Sequence, residues 1–234
     1  MAHDDKVCVV VGVGPGNGAA LAKRFAAEGF RVALLARTTD TSGPLAQELP
    51  GARAYPCDVT DAASITATFE AIAKDLGPVH TLVYNAGSGT WGTIEDIDAA
   101  ALESAFRVNT LGLFSCVRQA LPAMKANGGN VIVIGATASR RGVARTAAFS
   151  PAKGAQKSLT ESMARHLWPQ HIHVALVIVD GVVDLPRTRV YMKDKPDDFF
   201  VKPDAVADTA YRLTTQHESA WSFEVEARPF KETW

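Results

Sequence analysis

Along this chain, short unbroken apolar runs alternate with longer stretches in which apolar residues return every three or four positions. The runs at 7–12, 31–36, 53–55, 81–84, 130–134, 173–179 and 223–226 predict strands. Four of them are almost continuous Val, Ile and Leu, as expected of parallel strands covered on both faces. The stretches at 18–28, 62–74, 99–126, 149–168 and 204–216 predict helices. In the first, Ala19, Leu21, Ala22, Phe25 and Ala26 form one apolar face, and Gly29 supplies the stop. Asp61 and Asp98 are suited to cap the second and third by accepting from their first free N–H groups. Pro203 precedes the last helix, and Pro151 falls in the first turn of the fourth, where a missing N–H is tolerated. Strand and helix in alternation predict an α/β fold, a doubly wound parallel sheet of about seven strands with helices on both faces. The segment 181–201, rich in Pro, Asp and Arg, is the one long irregular stretch, and it predicts a lid or binding loop.

Composition narrows the class without choosing a reaction. Hydrophobic residues make up 47% of the chain and charged residues 21%, enough apolar material for one continuous core and against disorder. The net charge of −1, with both signs interspersed, leaves no footprint for nucleic acid or an anionic membrane, so a small discrete substrate is expected. No apolar run nears the roughly 20 residues of a membrane span, and the polar, acidic start Met1–Lys6 does not read as a signal peptide. Cys8, Cys57 and Cys116 are odd in number and lack metal spacing, which fits reduced thiols in a cytoplasmic protein. His171-Ile172-His173 lacks a third ligand, so it reads as a solvated strand start and no metal is expected.

The turn Gly12-Val13-Gly14-Pro15-Gly16-Asn17-Gly18, between the first predicted strand and helix, carries the clearest chemistry. Glycines there let the backbone approach a pyrophosphate whose charge rests on the helix N-terminus. Two registers fit, Gly14-x-Gly16-x-x-Ala19 and Gly12-x-x-x-Gly16-x-Gly18. Placement between a strand and an amphipathic helix, more than the glycines themselves, marks the dinucleotide turn of a Rossmann fold. At the end of the second strand stand Arg37, Thr38 and Thr39, where an acidic residue would hold an NAD ribose. A guanidinium beside hydroxyls suits a 2′-phosphate, so NADPH is expected over NADH.

With these residues in view, the chain resembles the short-chain dehydrogenase/reductase family over essentially its whole length. Gly12, Gly16 and Gly18 match the family's glycine spacing, with Val11 where Thr is usual. Asp58-Val59 resembles its adenine-contacting pair, and Tyr84-Asn85-Ala86-Gly87 is similar to its Asn-Asn-Ala-Gly motif. The resemblance implies that Lys153 is the catalytic lysine that grips the nicotinamide ribose, and that Asn109 holds a water next to it. It implies further that Asp180-Gly181 takes the place of a Pro-Gly turn beside the nicotinamide. A homodimer or homotetramer built on the helices at 99–126 and 149–168 is also implied. Small residues such as Ala147, Ala148, Ala152, Gly154 and Ala155 would permit close helix approach there.

Two positions depart from the family pattern. Phe149 stands where the catalytic tyrosine belongs, and Ala136 stands where the serine belongs. Thr137 takes the serine's place if the loop 138–148 carries one residue fewer. Nothing nearby replaces the tyrosine, since Ser150 is short and lies on another side of the helix. Hydride delivered to a ketone leaves an alkoxide, and without a general acid its reduction should slow by about 10²–10⁴-fold. Three readings follow. One is a reductase that takes its proton from water at Lys153 and Asn109, or from Tyr191. Another is a reductase of an imine or enoyl acceptor that needs no such donor. The last is an NADPH-binding module, a sensor or partner subunit, that does no chemistry. Trp91 suits either an aromatic pocket wall or a loop anchor. Arg187, Arg189 and Lys193 suit either an anionic substrate group or plain solvation.

Overall fold

A computed structural model of the protein describes residues 6–232, so the polar start at 1–5 lies outside the described residues. The strands are β1 (Val7–Val11), β2 (Arg31–Ala36), β3 (Arg53–Pro56), β4 (Val79–Tyr84), β5 (Gly129–Ala136), β6 (Ile172–Val179), β7 (Val182–Val183), β8 (Phe200–Val201) and β9 (Glu224–Ala227). The α-helices are α1 (Asn17–Ala27), α2 (Ser42–Glu48), α3 (Ala62–Asp75), α4 (Ala99–Phe106), α5 (Gly112–Asn127), α6 (Phe149–Leu167), α7 (Pro186–Tyr191) and α8 (Pro203–Thr214). Seven strands form one sheet in the order β3–β2–β1–β4–β5–β6–β9, every neighbouring pair parallel.

The unbroken apolar runs become strands buried on both sides. Val7, Val9 and Val11 face the layer of α3, α5 and α6, where Ile65, Phe69, Leu113 and Leu167 pack. Cys8 and Val10 face the opposite layer, with Leu21, Phe25, Val206 and Ala210 from α1 and α8. Each fully buried Val, Leu, Ile or Phe side chain contributes roughly 1.5–3 kcal/mol, so the two layers hold the sheet rigid. Asp61 accepts from Ala63 N and Asp98 from Ala101 N, as the sequence predicts for caps.

The chain runs outward from β1 through β2 to β3, then returns to place β4 on the other side of β1. The C-terminal ends of β1 and β4 therefore flank a topological switch point, where open parallel sheets leave a crevice. Gly12 leaves β1 into that crevice, and Asn85-Ala86-Gly87 leaves β4 into it.

Four expectations need correction. The predicted helix at 99–126 is α4 and α5 joined by a π-helical turn, Arg107–Leu111, in which Gly112 N donates to Arg107 O. Tyr84 explains the extra residue: its buried Oη donates to Val108 O at 2.5 Å, and Gly112 lies against that same hydroxyl and 2.9 Å, from an ideal Cβ, to Val59 O. Helix α2 was not predicted, because only Leu45 and Ser42 of its residues are buried and no apolar periodicity shows. The segment 181–201 is not irregular. It holds β7 paired with β8 and the helix α7, clasped by Asp184, which takes Arg189 Nε at 2.6 Å, Arg189 Nη2 at 2.9 Å and Lys202 Nζ at 2.5 Å. Those two cations hold the Asp184 carboxyl well below the usual carboxylate range. Finally, His173 is not solvated: its ring is buried, stacked on Trp221 at 4.7 Å, with both nitrogens against main-chain carbonyls.

Candidate active-site crevice

The glycine turn owes most of its composition to its neighbours within the chain. Gly12 has φ +90°, and a Cβ there would lie 2.5 Å from Ala86 Cα and N. The N–H groups of Gly12 and Val13 both donate to Leu35 O, at 2.8 and 2.9 Å, while Asn85 Nδ2 donates to Gly12 O at 2.7 Å. A Cβ at Gly18 would strike Gly12 O and come 2.7 Å from Val13 Cα. At Gly16 it would strike the Leu185 side chain, which reaches over from the segment after β7. Gly14 differs: among the described residues, no atom outside its own neighbours in the chain lies within 4 Å of the place its Cβ would take. Beside it, Asn17 Oδ1 is buried without a hydrogen-bond partner. Open space and an orphaned acceptor thus meet at the N-terminus of α1.

At the end of β2, Arg37 is exposed and forms no ion pair among the described residues, whereas Thr38 Oγ1 donates to Asp40 at 2.8 Å. Asp58 accepts from Thr60 N at 2.9 Å and Thr60 Oγ1 at 2.7 Å. These bonds lower its pKa, and the nearby Arg37 charge adds to the effect. Val59 follows Asp58 and packs on the layer of α3, α5 and α6.

Across the crevice, α6 carries Phe149 and, one turn on, Lys153. Lys153 is 4% exposed, and its Nζ donates to Ile134 O at 3.0 Å and to Gln156 Oε1 at 2.9 Å. Burial pushes its pKa down to about 7. Asn109, in the π-turn, donates from Nδ2 to Ala105 O at 2.8 Å, and its Oδ1 is buried with no partner. Gly87 separates the two: its Cβ position is 3.4 Å from Asn109 Oδ1 and 3.8 Å from Lys153 Nζ. The crevice therefore brings Asn109, Gly87 and Lys153 together.

The hydroxyls of Thr137 and Ser150 near this face are bonded to other partners. Ala136 ends β5 without one, and its N donates to Ser139 Oγ at 3.2 Å. Thr137 Oγ1 donates to the Asp180 carboxylate, which also takes Arg228 Nη2 at 2.5 Å. Ser150 Oγ donates to Ala138 O at 2.9 Å. Tyr191 sits on α7 with 86% of its surface exposed. In place of a phenol, the Phe149 ring lies 5.4 Å from that of Trp91, tilted by 35°, and Trp91 is itself 59% exposed. These two rings form an apolar wall beside Lys153.

Sequence reasoning missed Gln156, Leu185, Tyr84 Oη and the Asn85 side-chain bond. Gln156 had a signal, since it shares a helical stripe with Ala152, Lys153 and Thr160, all buried. Two further expectations are corrected. Arg189, though partly exposed, is not free for a substrate, because Asp184 and Asp197 hold it. Ala148 and Ala152 pack on Ala105 within the chain rather than facing outward, while Gly154 borders open space.

Residues 6–195 match the family model described as short chain dehydrogenase. A 3-oxoacyl-[acyl-carrier-protein] reductase from Rattus norvegicus is 32% identical over 186 residues, spanning 79% of this chain and 78% of the relative. A solved short-chain dehydrogenase from Rhodopseudomonas palustris superposes with a TM-score of 0.82 at 32% identity, over 97% of this chain and 99% of that one. A metagenomic short-chain oxidoreductase in complex with NADP gives a TM-score of 0.84 at 28% identity, over 98% and 99%. No helix among the described residues is long and apolar enough to cross a membrane.

Proposed function

The chain belongs to the short-chain dehydrogenase family, and from that premise we propose that it is an NADP(H)-dependent oxidoreductase acting on a small imine, enoyl or carbonyl substrate, with the proton supplied by no side-chain hydroxyl. One observation carries the reading: Lys153 and Asn109 stand together in the crevice while Phe149 and Ala136 offer no O–H and the neighbouring hydroxyls bond elsewhere.

The residues fit a dinucleotide. Gly12, Gly14, Gly16, Asn17 and Gly18 would take the pyrophosphate through their main-chain N–H groups at the N-terminus of α1, a fit supported by the open space at Gly14. Arg37, with Thr38, would take a 2′-phosphate, which supports NADPH over NADH because the exposed guanidinium forms no ion pair among the described residues. Asp58 and Val59 would border the adenine. Asn85, Ala86, Gly87, Lys153, Asp180 and Gly181 would border the ribose and nicotinamide. The bound cofactor would supply a hydride.

What the chain itself contributes is orientation and an apolar wall. Lys153 and Asn109 present donors and an acceptor near the reacting centre. Phe149 and Trp91 present apolar ring surface beside them. Their π-faces are electronegative and favour a cationic acceptor over a developing oxyanion. An iminium needs no proton to receive hydride, and an enoyl thioester spreads charge to a distant carbonyl. A ketone lacks both remedies.

The test follows NADPH oxidation with matched cyclic imines, enoyl thioesters and ketones. An imine or enoyl acceptor should turn over faster than the matched ketone by about 10²-fold. A ketone turned over as fast as either would defeat the claim that no side-chain hydroxyl supplies the proton. A silent panel with NADPH bound would support the alternative, an NADPH-binding module, which the apolar residues at both hydroxyl positions favour.

A further inference from the structure

Gln156 lies on α6 one turn beyond Lys153, fully enclosed, and bonds in two directions. Its Oε1 accepts from Lys153 Nζ at 2.9 Å, and its Nε2 donates to the main-chain carbonyl of Asn109 at 2.7 Å. The two partners demand the same amide orientation, because an ammonium only donates and a carbonyl only accepts. The side chain therefore spans from α6 to the π-turn as a fixed strut. Thr110 Oγ1, donating to Ala152 O at 3.0 Å, ties the same two elements together one turn back along α6.

We propose that Gln156 is a positioning residue that holds the Lys153 amine against Ile134 O and in register with the Asn109 turn, and that it tunes the lysine's protonation. The family resemblance implies a water beside this lysine. A water can rotate and exchange. Here an amide hydrogen-bonded at both ends, and tethered to α6, sits on the lysine and fixes the Nζ position. Ile134 O and Gln156 Oε1 take two of the three ammonium donors, which leaves one for the crevice. Burial lowers the lysine's pKa, and the two acceptors, by bonding the charged form, oppose that effect. Changing the acceptor at residue 156 should therefore move the lysine's titration, whereas a residue that merely fills space would not.

The inference rests on the proposed role of Lys153 only for its consequence, and the test separates the two. The lysine Cε–H NMR signals of the free protein are followed with pH, with Lys153 assigned by their loss in Lys153→Met. The wild-type midpoint should lie near 7, the value to which burial lowers this lysine. Gln156→Glu places a carboxylate on the ammonium and should raise the midpoint by about one pH unit or more. Gln156→Leu removes an acceptor and should lower it. Should Gln156→Leu fail to fold, Gln156→Glu, which keeps an oxygen toward Lys153, decides alone. Midpoints unchanged in the folded variants overturn the proposal, even if both melt earlier. NADPH affinity read over the same pH range should weaken as the lysine loses its proton, at a pH that moves with the substitution. Midpoints that shift without any response in affinity would uphold the role of Gln156 and sink the cofactor role of Lys153.

Discussion

The turn after β1 and the first turns of α6 face the same crevice, yet different forces hold their side chains. In the glycine turn, Gly12 and Gly18 are required by the protein's own backbone: one meets Ala86, the other Gly12 O and Val13. On α6 and at the end of β5, Phe149 and Ala136 are half-buried, and the Phe149 ring packs on Trp91 rather than on the backbone of another strand. A glycine turn can therefore persist because the fold needs it, while catalytic hydroxyls persist only if chemistry needs them. Gly14 is the informative exception in the turn, because nothing in the chain explains its missing side chain.

The sharpest way to break this contrast is to restore the missing hydroxyls. Phe149→Tyr combined with Ala136→Ser should raise ketone reduction by about 10²-fold or more, measured as kcat/KM with NADPH. No gain would mean that the crevice differs from the family pattern by more than these two positions. Next in size is Gly12→Ala. A Cβ on Ala86 at φ +90° should destabilise the protein by about 3 kcal/mol or more in denaturant unfolding. Gly14→Ala in the same turn should change stability by no more than about 0.5 kcal/mol yet weaken NADPH binding about tenfold or more. Equal effects of the two alanines would erase the distinction drawn between fold and ligand.

Lys153 offers a probe through pH. Its pKa is lowered to about 7 in the fold, against about 10.4 in an unfolded chain. Below pH 7 both states hold the proton, and the buried charge is penalised in full. Above it the unfolded chain binds more protons, so wild-type stability rises with pH up to the unfolded value. Between pH 7 and 9 that rise should be about 2–3 kcal/mol. Lys153→Met should lack it, and parallel stability profiles for the two proteins would place the lysine's titration elsewhere.

Much of the architecture was legible because its cause is local. All seven strands of the main sheet were found to within about two residues, most plainly the fully buried ones such as β1 and β6, which read as unbroken apolar runs. The caps Asp61 and Asp98 likewise declare themselves by residue type. What stayed hidden depends on contacts distant in sequence. The π-turn arises because Tyr84, from β4, wedges its hydroxyl at Val108 and Gly112. The clasp of Asp184 on Arg189 and Lys202 turns a loop-like composition into ordered structure. In the crevice, residue types announced Lys153, Asn109 and the glycines, but not that Thr137 bonds Asp180 or that Leu185 covers Gly16. Those depend on where separate segments meet.

The smallest expected difference belongs to Arg37, and it falls within the experiment that bears most directly on the whole account. Calorimetric titration of the purified protein should register binding of both nucleotides, with NADPH tighter than NADH by about tenfold and the margin lost in Arg37→Ala. No heat with either nucleotide, in a protein that is folded by its unfolding profile, would contradict the claim that this crevice is a dinucleotide site.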